Sequence, residues 1–414
     1  MTPSADPARQ RPPERPLAVA AARRKMLSRI SQVASEEVEV DGRVVSRVLM
    51  SEVTAAVLLP PWDNSAMDGY AVRAEDVRLV PARLPVVGEM AAGNAPGKVA
   101  IEPGTCAKVM TGAPLPDGAD AVVPYEWTDH GETEVLILER PRPGNAVRRA
   151  GEDLSPGDLI LKAGHRVRPT DLLALAASGR RTITVAKRPR VALITTGDEI
   201  RPPGSALGPG EIYDTAGPAL EALIAAAGGE IVMRTRVGDD PQRVEQLLRE
   251  AAADADLVVT VGGVSVGDHD HMRATVERLG QLRLWRVAMR PGRPIAFGEL
   301  GRCIFLGLPG NPVSASVTFI LFGASCLLAL QGASVLTPST QLAELLEGVD
   351  KPEGLETFLR VVVRHRPGQL PGVRLAGSQS SGVTLSLARA HALLALPAQG
   401  SRVEPGSLVE IIPL

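Results

Sequence analysis

Apolar and polar positions along the chain change texture several times. From Leu17 to residue 35 the apolar residues Leu17, Val19, Ala20, Met26, Leu27 and Ile30 keep a helix-like spacing, and a strand-like Glu36–Val40 follows. A second apolar stretch, from Val44-Val45 to Leu58-Leu59, reads as a helix stopped by Pro60-Pro61. From Trp62 the runs shorten: Pro85-Val86-Val87, Cys106–Met110, Ala121–Val123 and Val135–Leu138 are separated by Gly and Pro. That is the pattern of a small β-rich domain over residues 63–147. Residues 148–187 return to the first style, with a helix at about 170–178. The two flanks look like parts of one unit, so 63–147 is expected to be inserted into a discontinuous domain made of 17–62 and 148–187.

Residues 188–331 alternate strand and helix. Strands are expected at Val191–Thr196, Ile231–Arg236, Leu257–Val261, Leu282–Ala288 and Cys303–Leu306, with helices at 216–227, 240–253, 271–279 and 312–330. Five- to seven-residue apolar runs alternating with helical periods predict βαβ units: a doubly wound α/β domain with a parallel sheet covered on both faces. Residues 336–414 turn back to strands (Phe358–Val363, Ala392–Leu396, Leu408–Ile412), which fits a small terminal β-barrel.

Composition narrows the function. With 45 Lys and Arg against 47 Asp and Glu, no basic field recruits nucleic acid or an anionic membrane. Eleven aromatics in 414 residues leave little for stacking bases. No charge occurs between Arg302 and Glu344, so the apolar run Val313–Leu330 passes a length test for a spanning helix. Asn311-Pro312 nevertheless reads as a sharp helix start, and no basic cluster flanks the run, so a buried core helix is expected. Cys106, Cys303 and Cys326 are scattered and odd in number, which suits reduced, buried thiols in a cytoplasmic protein. Residues 1–16 lack a signal peptide's apolar core and read as a disordered leader.

Candidate chemistry gathers where strands of the α/β domain end. Thr195-Thr196-Gly197-Asp198-Glu199, Gly262-Gly263-Val264-Ser265-Val266-Gly267-Asp268-His269-Asp270 and Gly307-Leu308-Pro309-Gly310-Asn311-Pro312 all fall at such ends. Glycines let backbone N–H groups approach an anion, and helix N-termini favour negative charge. Carboxylates beside them suit Mg²⁺, which keeps water and phosphate among its ligands. Asp239-Asp240-Pro241 reads first as a helix cap and second as a metal site. Arg286, Arg290 and Arg293 flank a Pro-Gly turn just past a strand, where forked guanidinium donors suit an oxyanion or a phosphate. Asp63–Tyr70 and Met110–Pro114 read, taken singly, as turn chemistry.

Taken together these segments carry a resemblance. Residues 60–71 (Pro-Pro-Trp-Asp-Asn-Ser-Ala-Met-Asp-Gly-Tyr-Ala) resemble the signature of the molybdopterin molybdenumtransferases, the family that includes the catalytic part of gephyrin. Met110–Pro114, Gly151-Glu152-Asp153, Thr196–Glu199, Gly262–Gly267, Pro291–Pro294 and Leu308–Ser314 follow in family order, so the resemblance covers about residues 17–414. It implies a four-domain enzyme that inserts molybdenum from molybdate into adenylyl-molybdopterin, with Mg²⁺-assisted release of AMP. By motif, Asp68, Thr111 and Asp153 would serve the active cleft, with Glu199, Asp239 and Asp270 as catalytic residues and metal ligands. Gly262, Gly263, Ser265 and Gly267, with Pro309 and Asn311, would hold the pterin phosphate. Arg286, Arg290, Arg293, Arg360 and Ser381 would bind oxyanion. The resemblance also implies a homodimer whose active site is shared between chains, and the upstream adenylyltransferase as a partner. Departures are arginine where relatives commonly carry lysine at 286, 290 and 293, Ser380-Ser381 for a Gly-Ser pair, and Ala390-His391-Ala392 for an Asn-Gly ending. A molybdopterin adenylyltransferase, and a non-catalytic or tungstate-specialised paralogue, are the alternatives.

Overall fold

A computed structural model of the chain describes residues 16–263 and 271–414. The expected leader, apart from Pro16, and Ser265, Gly267 and Asp270 of the second glycine-rich strand end lie outside the described residues.

The first helix, Val19–Leu27, buries Val19, Ala22 and Met26 in the core of the α/β domain. A separate core joins Val44, Leu49 and Val53 to Val167, Leu175, Ile183 and Val185, so both flanks of the insertion contribute to it. Strands Ser35–Glu39 and Thr182–Ala186 pair antiparallel beside it, with Ser35 opposite Ala186. The helix expected over residues 44–59 does not form. A 3-10 turn, Gly42–Val44, is capped by the Asp41 carboxylate, which accepts from Arg43 N at 2.8 Å. Val48 and Leu49 then bridge to Arg166 and Val185, and Val53–Thr54 pairs with Leu159–Leu161. The apolar spacing is helical, but β-branched Val44, Val45, Val48 and Val53 suit an extended chain, and sheet-like partners from 159–185 satisfy its backbone.

The inserted region forms a five-stranded sheet in the order Ala121–Pro124, Gly69–Val72, Cys106–Val109, Ala82–Met90, Glu134–Ile137. Its core includes Tyr70, Val72, Leu84, Cys106 and Val123.

In the α/β domain the sheet order is Glu230–Val237, Arg190–Thr196, Leu257–Val261, Cys303–Leu308, Pro294–Leu300, Gln281–Arg286. The first four strands are parallel and Pro294–Leu300 pairs antiparallel with both its neighbours, so the sheet is mixed where an all-parallel one was expected. Helices Ala216–Ala226 and 312–330 cover one face, and Pro241–Asp254 and His271–Leu279 the other. The 312–330 helix is the long apolar segment, and it is a core helix: 78% of its most apolar stretch is buried. It runs as α-helix over Pro312–Thr318, widens to a π-helical turn at Phe319–Gly323, and resumes over Ala324–Leu330.

The C-terminal strands close into a barrel: Glu356–Arg364, Gly372–Leu375, Gln341–Leu345, Leu408–Pro413 and Ala392–Leu396, which pairs back with Glu356–Arg364. The expected fold class, doubly wound α/β domain, inserted β-rich domain and small terminal barrel, is the one observed. A short strand, Met289–Arg290, joins the barrel sheet beside Glu356–Thr357, so the arginine loop is tied to both domains. All three cysteines are buried and unpaired, and burial pushes each thiol up to about 12.

Candidate active site

Two clefts and one exposed loop hold most of the described residues singled out above. The first cleft, about 440 Å³, lies at the C-terminal ends of the parallel strands and is lined by Thr195–Gly197, Gly262-Gly263 and Gly310–Pro312 together with Glu199, Asp214 and Asp239. Gly262 has φ +91°, and a Cβ there would collide with the Thr196 hydroxyl, which itself donates to Val261 O at 3.1 Å. Only glycine fits that turn. Glu199 and Asp239 are exposed, and Asp239 N donates to Asp198 Oδ1 at 3.1 Å, which ties the two acidic loops together. Asp240 is the cap: its carboxylate accepts from Gln242 N at 2.9 Å and from Arg243 N at 3.4 Å. Pro309 is buried beneath the loop and does not line the cleft.

Among the described residues, no three His, Cys, Asp or Glu side chains form a metal-sized group. Glu199 and Asp239 share a cleft, and the third expected ligand, Asp270, is outside the described residues. Two carboxylates in this glycine-lined cleft fit Mg²⁺, which needs only one or two protein oxygens when water and phosphate supply the rest.

The second cleft, about 870 Å³, opens between the α/β domain and the barrel. Arg290, Arg293, Arg360 and Ser381 line it with Gly292, Ser314 and Gln379. Arg286 is elsewhere, paired opposite Pro294 near the end of its edge strand. Gly292 has φ +92°, and a Cβ there would strike the buried Thr318 hydroxyl. Arg360 is fully buried. Its guanidinium donates to Ser386 Oγ at 3.2 Å, Ser380 O at 3.1 Å and Ser378 O at 3.3 Å, all neutral oxygens. Burial pulls its pKa below the usual arginine value. Among the described residues, the one carboxylate lining this cleft, Asp350, is paired with Arg402 at 3.0 Å.

The two clefts meet. Asn311, at the first, donates through Nδ2 to Ser381 Oγ, at the second, across 3.1 Å. Asn311 stands at the N-cap of the core helix without capping it, so its amide is available for that link. Ser314, one turn on, reaches the second cleft.

The exposed loop is apart from both clefts. Asp68 Oδ1 accepts from Thr111 N at 2.7 Å and from the Thr111 hydroxyl at 2.8 Å, and these bonds hold the Asp68 carboxyl below the usual carboxylate range. Asp153 is exposed, its N donating to Leu59 O at 3.0 Å. None of the three lines either cleft of this chain.

Sequence reasoning passed over Asp214, Ser314 and Gln379. Asp214 is buried and accepts from Gly217 N at 2.7 Å, and an Asp two residues before a helical Ala216-Gly217 was a readable cap signal. Gln379 accepts from Arg360 N at 2.9 Å and sits in a loop with no periodic signal.

Fold and clefts define a class: a multidomain α/β protein with an inserted β-domain, a closed terminal barrel, and adjoining clefts suited to a metal-bound phosphate and to an oxyanion. Comparison with known proteins agrees. Residues 17–179 match the family model "MoeA N-terminal region (domain I and II)", 192–329 match "Probable molybdopterin binding domain", and 343–414 match "MoeA C-terminal region (domain IV)". The chain is 37% identical over 374 residues to molybdopterin molybdenumtransferase 2 of Mycobacterium tuberculosis, covering 88% of this chain and 91% of that protein. It is 32% identical over 400 residues to molybdopterin molybdenumtransferase of Haemophilus influenzae, covering 95% and 97%. The crystal structure of a molybdopterin biosynthesis MoeA protein from Pyrococcus horikoshii superposes with a TM-score of 0.77 at 31% identity, over 96% of this chain and 99% of that one. The chain belongs to the MoeA family of molybdopterin molybdenumtransferases.

Proposed function

We propose that this protein is a cytoplasmic molybdopterin molybdenumtransferase that inserts molybdenum from molybdate into adenylyl-molybdopterin and releases AMP. The observation that carries this reading is the junction of the two clefts at Asn311 and Ser381. One substrate carrying a phosphate linkage and a separate oxyanion must meet, and adjoining clefts of matching chemistry let them. In the first cleft Glu199 and Asp239, with Asp270, would hold Mg²⁺, which when bound offsets the charge developing on the leaving phosphate. The backbone N–H groups of the glycine-rich ends orient the phosphate groups. In the second, Arg290, Arg293 and Arg360 provide the charge for a dianion and the Ser381 hydroxyl provides a directed donor. Water adds to the phosphoanhydride and AMP departs, leaving the pterin its terminal phosphate. The two dithiolene thiols then bind molybdenum, which stays hexavalent, and their protons leave with one molybdate oxygen as water.

Asp68 and Thr111 lie outside both clefts of their own chain, so we assign them to the cleft of a second copy in a homodimer. The upstream adenylyltransferase is the expected donor of the substrate. The test supplies the purified protein with adenylyl-molybdopterin, Mg²⁺ and molybdate, and measures AMP and active cofactor together. Both should rise with added molybdate. AMP without cofactor, or neither product, removes the proposal.

A further inference from the structure

The arginine cleft is an inter-domain gap: Arg293 lies on the α/β side, Arg360 and Ser381 belong to the barrel, and Arg290 lies in the short strand that joins the α/β domain to the barrel sheet. Its width depends on how the two domains are fastened. The backbone of Val287–Arg290 lies between two neighbours. On one side Leu17 bridges Val287 in parallel, and Ala288 N donates to Leu17 O at 2.8 Å. On the other, Met289 and Arg290 pair with Glu356 and Thr357, and Glu356 N donates to Ala288 O at 3.0 Å.

The Glu356 side chain crosses this seam. Its Oε1 accepts from Val19 N at 2.9 Å, 337 positions away in the chain. Val19 opens the first helix, whose own N-cap residue, Ala18, makes no side-chain cap. A barrel carboxylate therefore caps the N-terminal helix, where it also meets the positive end of the helix dipole. Farther along that helix, Arg23 donates through Nε to Leu321 O at 3.2 Å and lies 5.7 Å over the Phe322 ring, gripping the π-helical turn of the core helix. Glu356 also opposes the lowering of the Arg23 pKa by burial. The same core helix carries Ser314 at the cleft and Thr318 beneath Gly292. Leu355, Thr357, Leu359 and Arg360 line the cleft, whereas Glu356 is outside its lining and reaches Val19 instead.

We propose that Glu356 is a positioning residue for oxyanion capture: by capping the N-terminal helix it locks the barrel onto the α/β domain and fixes the separation of Arg290 and Arg293 from Arg360. This rests on the oxyanion reading of the cleft. Glu356 touches no ligand there, so its influence passes through geometry.

The experiment titrates the full-length protein with sodium molybdate by calorimetry, comparing wild type with Glu356→Ala, Glu356→Gln, Val19→Pro and Val19→Ala. Val19→Pro deletes the capped N–H at a helix position that accepts proline, and Val19→Ala keeps the N–H while removing the side chain. The molybdate Kd should rise about fivefold or more in Glu356→Ala and in Val19→Pro, as for a coupling of 1 kcal/mol or above. Glu356→Gln, which retains an acceptor oxygen, should fall between, and Val19→Ala should bind like wild type. Combining Glu356→Ala with Val19→Pro should weaken binding no further than the worse single change, because both break one bond. In turnover, KM for molybdate should rise with kcat held within about twofold, as expected for lost uniform binding. Unchanged affinity in Glu356→Ala and Val19→Pro overturns the proposal, as does a fall in kcat at constant KM or equal weakening by Val19→Ala. If wild type itself takes up no molybdate, the oxyanion reading fails and the proposal with it.

Discussion

Arg360 is a buried positive charge in the wall of the arginine cleft, and its hydrogen-bond partners among the described residues are neutral oxygens. A dianion in the cleft would supply the missing counter-charge at a site already paid for in desolvation. Arg360→Ala should therefore raise KM for molybdate by about 10- to 100-fold, the equivalent of one or two charge-assisted hydrogen bonds. Arg360→Lys should recover only part, since an ammonium lacks the guanidinium fork. Initial rates against molybdate concentration decide both. Gly292 makes a different prediction at the same scale. Gly292→Ala must hold a left-handed φ and displace the Thr318 hydroxyl, so it should cost about 1–2 kcal/mol of stability. It should also weaken molybdate binding by moving the arginines on either side. A melting curve with a molybdate titration reads the two effects; a destabilised variant with unaltered affinity would separate the turn from the site.

Among the elements, the short helix Asp171–Ala177 depends on one carboxylate. Asp171 is buried, and its oxygens accept from Arg168 N at 2.8 Å and Nη2 at 2.6 Å and bond His165 Nε2 at 2.6 Å. The Arg168 side chain first, and then His165, hold its pKa far below the usual carboxylate range. A lowered folded-state pKa means that the stabilisation is complete above the ordinary carboxylate value of about 3.9 and is lost as pH falls through the folded value. Asp171→Asn should cost about 2 kcal/mol at neutral pH, and the gap to wild type should close only in strong acid. Denaturant melts at several pH values test this, and a gap that persists unchanged into strong acid contradicts it. The elements also show where the sequence was readable. Alternating apolar runs and helical periods placed the parallel strands and their helices to within a residue or two, because each element's pattern matched its partner face. The strand Pro294–Leu300 escaped notice because Pro294 and Gly298 interrupt Ile295-Ala296-Phe297, yet Gly298 is there because no Cβ fits beside the Gln281 carbonyl. The stretch 44–59 misled because its valines repeat at helical spacing while their hydrogen-bond partners lie over a hundred residues on. For the site, strand-end glycines and carboxylates were legible as types and positions. The division into two clefts was not, because it depends on how the barrel closes over the arginine loop.

At the scale of the whole molecule, the position of Asp68 and Thr111 outside their own chain's clefts predicts complementation. Asp68→Asn and Glu199→Gln chains, each inactive alone, are co-expressed. In a mixed dimer with shared clefts, one cleft carries both defects and the other neither, so random mixing leaves about a quarter of all clefts intact. With clefts confined to single chains, activity stays at background even when mass measurement confirms mixed dimers. The buried thiols give the molecule a further property. Cys106 sits in the core of the inserted sheet, Cys303 under one face of the α/β sheet and Cys326 under the other. With each thiol pushed up to about 12 and sealed inside, an alkylating reagent reacts only when that layer opens. The three cysteines therefore act as internal clocks: the order in which they are labelled under native conditions records which layer breathes first.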